Sequence, residues 1–175
     1  RRDRLAAEVQ SHRDALADLR SRIADVERAA VETFNDHVET VLDLLEYGNV
    51  ERVWLERKTE GAADAVAPES SFDLHVVRST PAGSVYDDTV DHLSESEREV
   101  IGLVVALAGY LVHDVHETVP FVLLDSLEAI DAERIADLVE YFADHAPYLL
   151  VALLPEDARA LPGEYDRVRT TEAVV

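Results

Sequence analysis

Between residues 1 and 47 the chain contains neither Pro nor Gly, and core-tolerated residues recur at steps of four and three. They fall at Leu5, Val9, His12, Leu16, Leu19, Ile23, Val26, Ala30, Thr33, His37, Val41 and Leu44, a heptad seam with one stutter near residues 37–41. A helix of that length is a rod of about 70 Å. A stripe on a lone rod has nothing to bury against, so the segment requires a partner helix. Gly48-Asn49 is the expected stop. With 175 residues in all, the remainder, 48–175, is the size of one small domain. His12 and His37 on the seam read as weak core residues rather than ligands.

The remainder alternates strands and helices. Val50–Arg57 is rich in β-formers, and residues 60–71 hold the Gly, Ala, Pro and Ser of a loop. Phe72, Leu74 and Val76 alternate with Asp73, His75 and Val77 as in a half-buried strand. A turn follows at 81–83, and Tyr86–His92 forms a polar approach to the next element. Ser94 to about His113 is a helix opened by a capping box, Ser94 with Glu97. Its body, Val100–Val112, is apolar nearly all round and so belongs in the interior. Val119–Leu124 and Tyr148–Leu154 are apolar runs suited to buried parallel strands. The amphipathic helix Asp131–Ala146 between them makes a right-handed parallel crossover. A short helix at 156–161 and a last strand at 165–171 complete the expectation. The fold class is therefore α/β, a parallel sheet with flanking helices preceded by a long coiled-coil helix.

Charge narrows the function. Asp and Glu number 37 against 16 Lys and Arg, a formal net charge of −21, and Lys58 is the only lysine. Such a surface suits very high salt, where self-repulsion is screened. It argues against a broad phosphate-binding face on this segment. Cys is absent, which excludes disulfides, thiolate metal sites and a cysteine nucleophile. Ile101–Val112, the longest apolar run, is too short to cross a bilayer. The chain opens on Arg1 without a leader motif, and we expect it to be a piece of a longer protein.

Three features come in a fixed order: Leu93-Ser94-Glu95-Ser96-Glu97 opening an interior helix, Phe121–Asp125 as an apolar strand ending in an acid, and Leu127–Asp131 leading into the next helix. A hydroxyl among free N–H groups at a helix start can receive phosphate. An Asp at the carboxyl end of a parallel strand can hold Mg²⁺.

Placed after a coiled coil ending near Phe34-Asn35, this order resembles the C-terminal half of an SMC-type ATPase head, a branch of the ABC ATPases, and in composition the haloarchaeal SMC-related proteins. The resemblance covers essentially the whole chain. It implies a partial P-loop NTPase fold, with a coiled-coil arm at 1–47 and the head lobe at 48–175. It makes Ser94 the signature serine, which reaches the γ-phosphate of ATP held by a second head, with Ser96 and Glu97 beside it. It makes Asp125 the Walker B aspartate for Mg²⁺ and Asp131 the D-loop aspartate at the head–head interface. The implied partners are an N-terminal half-head carrying Walker A, a second head, a partner helix for the arm, and DNA through the full-length protein. The implied setting is cytoplasmic and nucleoid-associated, in chromosome organisation, segregation or DNA repair.

The family pattern is not complete. Glu95 and Ser96 stand where two glycines are expected. Ser126 occupies the position of the glutamate that polarises the attacking water, so the base is degenerate and hydrolysis slow or impaired. Leu154 stands near the place of a switch histidine, and the interval from Asp125 to Asp131 is one residue short. Glu128 is the substitute base to consider. His113 and His116, with Asp114 and Glu117, read as solvated helix-end residues before a metal site, and Trp54 as packing. The rival reading is a non-catalytic coiled-coil oligomerisation module with an α/β cap.

Overall fold

A computed structural model describes residues 1–48, 50–60, 69–80 and 82–168. In chain order the elements are α1 (Arg2–Leu45), β1 (Val50–Glu60), β2 (Glu69–Ser79), β3 (Val85–Asp88), α2 (Glu95–Val112), the single turn α3 (Val115–Thr118), β4 (Phe121–Leu124), α4 (Ala132–Ala143) and β5 (Tyr148–Val151). Strands β1, β2 and β3 form an antiparallel sheet, and β4 pairs with β5 in parallel, joined through α4. No helix among the described residues is long and apolar enough to cross a membrane.

Helix α1 divides into two faces. Leu5, Val9, Leu16, Leu19, Ile23 and Val26 are exposed, the unpartnered stripe that the heptads demand. Nearer the head the buried set becomes Val38, Val41, Leu42 and Leu45, so His37 and Leu44 give way to neighbouring positions. The stutter makes this possible: beyond it a 3.6-residue period turns the apolar face onto the domain. The helix stops at Leu45, ahead of Gly48, because Glu46 takes a left-handed conformation (φ 40°) and its N–H bonds Asp43 O. Asn49 lies outside the described residues.

The β1–β2 hairpin is longer than expected. Its second strand begins at Glu69, inside the stretch read as loop, of which 61–68 lie outside the described residues. The hairpin braces the arm at two heights. The Asn35 amide donates to Leu55 O (3.0 Å) and accepts from Leu55 N (2.7 Å), pairing with the backbone of β1. Farther along the arm, Glu27 accepts from Arg57 Nε (2.8 Å) and Ser70 Oγ (2.9 Å). These bonds hold the Glu27 carboxyl below its usual range. Trp54 packs as expected, stacked on its cross-strand neighbour His75 at 4.6 Å.

Three further expectations are corrected. Part of the Tyr86–His92 approach is a strand, β3, because Arg78–Tyr86 and Val77–Asp87 pair across the turn. Residues 157–159 form only a 3-10 turn, Asp157–Arg159. Tyr165–Val168, the described part of the proposed last strand, is not a strand, and 169–171 lie outside the described residues. The turn at 82–83 holds, with Gly83 at φ 79°, while Pro81 lies outside the described residues.

The core is one cluster in which the base of α1 meets β1, α2 and α4. Val100, Val104, Ala108, Ile135, Leu138 and Phe142 are nearly or fully buried in it, as the periodicity of α4 predicts; the body of α2, expected in the interior all round, leaves Gly102 and Ala106 exposed. The parallel pair departs from expectation: Val122 and Leu124 are buried, but Phe121, Leu123, Tyr148 and Leu150 are 45–65% exposed. One face of the β4–β5 sheet is thus apolar and open within this chain.

Candidate functional site

The start of α2 is built as the sequence predicts. Ser94 is the N-cap, and its Oγ accepts from Glu97 N (3.3 Å). Glu97 Oε2 accepts in return from Ser94 N (2.8 Å) and from the Ser94 hydroxyl (2.7 Å). Ser96 Oγ lies 3.4 Å from Ser94 Oγ. Both serines and Glu95 are exposed, whereas Glu97 is 4% exposed, the one buried charged residue among those described.

A buried carboxylate needs a cation, and Arg78 of β2 supplies it. Arg78 Nη2 bonds Glu97 Oε1, and Nη1 bonds Asp88 Oδ2 at the end of β3 (3.0 Å). Asp88 Oδ1 also accepts from Thr89 N and faces His92 Nδ1, each at 2.9 Å. Burial pushes the Glu97 carboxyl up, but the two Ser94 donors and the Arg78 charge outweigh it and hold it below its usual range. Asp88 is lowered first by the Thr89 N–H and then by Arg78. Arg78 escaped the sequence reading, yet a signal was there. It shares the inward parity of Leu74 and Val76, and an inward arginine implies a buried anion.

Asp125 lies just past the carboxyl end of β4, exposed, with Oδ1 accepting from Ser126 N (2.9 Å). Ser126 adopts φ 61°, the left-handed region that non-glycine residues rarely enter. The two line a cleft of about 310 Å³ with Glu99, Leu103 and Ala106 of α2 and with Ile130. A single hard oxygen ligand beside open solvent fits Mg²⁺, which keeps several waters. Asp131 caps α4 without a side-chain bond to the helix backbone; its carboxylate accepts from Arg134 Nη1 in the first turn (2.7 Å). Arg134 also reaches Glu46 at the base of the arm (3.7 Å).

The candidates therefore form three groups: Ser94, Ser96 and Glu97 at the head of α2, Asp125 and Ser126 at the cleft along its middle, and Asp131 at the head of α4. No hydrogen bond among the described residues joins the groups. Glu128 is exposed and does not line the cleft, and Leu154 is 48% exposed. No cluster of three or more His, Asp or Glu able to hold a metal ion occurs among the described residues. His113 is exposed as expected, but His116 is not the solvated residue expected, because its Nδ1 is buried without a hydrogen-bond partner.

No family model matches the chain. It is 61% identical over 156 residues to the Smc-like protein Sph2 of Halobacterium salinarum, an alignment covering 85% of this chain and 23% of that protein. It is 58% identical over 151 residues to the Smc-like protein Sph3 of Haloferax volcanii, with the same coverage, 85% and 23%. The chain thus spans about a quarter of the length of these curated relatives. Among solved structures, the Smc head domain with an extended coiled coil bound to the C-terminal domain of ScpA, from Pyrococcus furiosus, aligns over 91% of this chain and 38% of that one (TM-score 0.60, 17% identity). A chain from structural work on ATP-driven dimerization and DNA stimulated activation of SMC ATPases aligns over 77% and 75% (TM-score 0.50, 16% identity). At these identities the structural likeness is one of fold.

Proposed function

With the chain identified as an SMC-type head segment of the haloarchaeal SMC-related kind, we propose that it is the C-terminal part of an ATP-binding head whose engagement with a second head is switched by nucleotide. The open apolar face of β4–β5, with Asp125 at its carboxyl edge, carries this reading. A two-stranded sheet with Phe121, Leu123, Tyr148 and Leu150 exposed calls for further elements over it, and an N-terminal half-head bearing Walker A is the occupant that also brings phosphate-binding groups to Asp125.

In this head Asp125 would hold Mg²⁺, which would neutralise phosphate charge. Ser94 offers its hydroxyl and the free N–H groups of α2 to the γ-phosphate of ATP on the opposing head. Asp131 lies at the same interface. ATP with Mg²⁺ supplies the phosphate charge that ties the heads together. Ser126 carries no basic group, so turnover is slow: a missing general base costs about 10²–10⁴-fold. The arm α1 pairs with a partner helix and carries head engagement towards DNA, in chromosome organisation, segregation or repair at the nucleoid. DNA contact belongs to the full-length protein rather than to this acidic lobe.

The test is ATP-dependent head pairing of the full-length protein in molar KCl, followed by cross-linking. Ser94→Arg abolishes pairing while the fold persists, and Asp125→Asn weakens Mg²⁺-dependent nucleotide binding. Unchanged pairing in the first variant removes the signature role, and unchanged affinity in the second removes the metal role. The exposed stripe of α1 would serve a second reading equally, a non-catalytic oligomerisation module. Parallel self-association through residues 1–47 without nucleotide is its signature.

A further inference from the structure

The Ser94 hydroxyl cannot serve Glu97 and a phosphate with the same proton. Its proton is held by Glu97 Oε2 at 2.7 Å, and a phosphate oxygen would have to take it. Whether that exchange is cheap depends on what remains on Glu97. Two donors stay: Ser94 N on Oε2 and Arg78 Nη2 on Oε1. The guanidinium fork is anchored by Asp88 through its other terminal nitrogen, and Asp88 is held by Thr89 N and faces His92. Without Arg78, releasing the hydroxyl would leave a 4% exposed carboxylate with one donor and no counter-charge, next to an incoming polyanion.

We propose that Arg78 is a positioning residue for Ser94: by neutralising Glu97 from β2 it frees the serine hydroxyl to pass from the capping box to phosphate. This rests on the reading of Ser94 as the phosphate-facing serine. Lysine cannot replace the fork, because one ammonium does not bridge Asp88 and Glu97 in the same plane.

The experiment titrates ATP against head pairing of the full-length protein for wild type, Arg78→Met, Arg78→Lys and the double variant Arg78→Met/Glu97→Gln, each with its thermal midpoint. Arg78→Met is expected to raise the ATP concentration for half-maximal pairing by about tenfold or more, one pKa unit's worth of interaction. Arg78→Lys should fall between it and wild type. The double variant removes the orphaned charge on Glu97 but keeps a capping acceptor, and Asp88 keeps Thr89 N and His92, so pairing should return towards wild type. Pairing by Arg78→Met at the wild-type ATP concentration overturns the proposal. So does a double variant that folds and remains as impaired as the single one, because the defect then does not run through Glu97. Wild-type protein that does not pair on ATP overturns the parent reading instead, and this inference with it.

Discussion

Glu97 sits between opposed forces: burial raises its carboxyl pKa, and the Ser94 donors with Arg78 lower it further than burial raises it. Because the folded value lies below the ordinary 4.5, its stabilising contribution is present above that pH and is lost as pH falls through the folded value. Asp88 acts with the same sign. In Arg78→Met the burial effect gains weight, the Glu97 carboxyl rises, and protonation on acidification then restores part of the lost stability. Denaturant midpoints from neutral to acid pH should therefore converge for wild type and variant; parallel curves would dissociate Glu97 from Arg78. The capping box was legible because its partners are three residues apart. Arg78 carried only its inward parity as a signal, and the anion it meets, Glu97, lies 19 residues away and is brought to it by the fold. The positive φ of Ser126 likewise has no signature in residue type.

At the level of elements, the periodicity of α4 predicted its buried face, and the all-round apolar body of α2 predicted a burial that one side of the helix realises. Phe142→Ala should cost about 3–5 kcal/mol in denaturant unfolding, since a fully buried ring leaves a cavity. Leu16→Ala, 45% exposed on the arm, should change the same midpoint by about 0.5 kcal/mol or less and act instead on arm pairing. Equal effects would mean that the seam is already buried. The strands were read less well for two physical reasons. Tyr148–Val151 and Phe121–Leu124 are apolar on both faces, which signals burial without saying whose atoms provide it. Strand β3, Val85–Asp88, is short and acidic, and it exists because β2 offers it a pairing edge.

Over the whole molecule, a net charge of −21 on 175 residues works against compactness in dilute salt. The screening length falls from about 10 Å at 0.1 M salt to about 3 Å at 1 M. The thermal midpoint should rise with KCl across that range, and replacing KCl by an uncharged osmolyte of equal osmotic strength should reproduce little of the gain. A flat salt response would remove the high-salt reading. Composition made that expectation available; the fold of an SMC head was available only from the order of motifs along the chain.

The two braces between hairpin and arm also decide where the rod bends. With Asn35 tied to Leu55 and Glu27 tied to Arg57 and Ser70, the stretch 27–35 is tied to the antiparallel sheet, and Val38, Val41, Leu42 and Leu45 are buried in the core beyond it. Residues 2–26, about 37 Å of helix, extend beyond the outer brace. The fulcrum lies at Glu27 rather than at Leu45. With the root of the arm held at two heights, a small rotation of the sheet swings the arm instead of flexing its root. Strand β2, which touches the arm through Ser70 and the head of α2 through Arg78, is the shaft on which that rotation would turn.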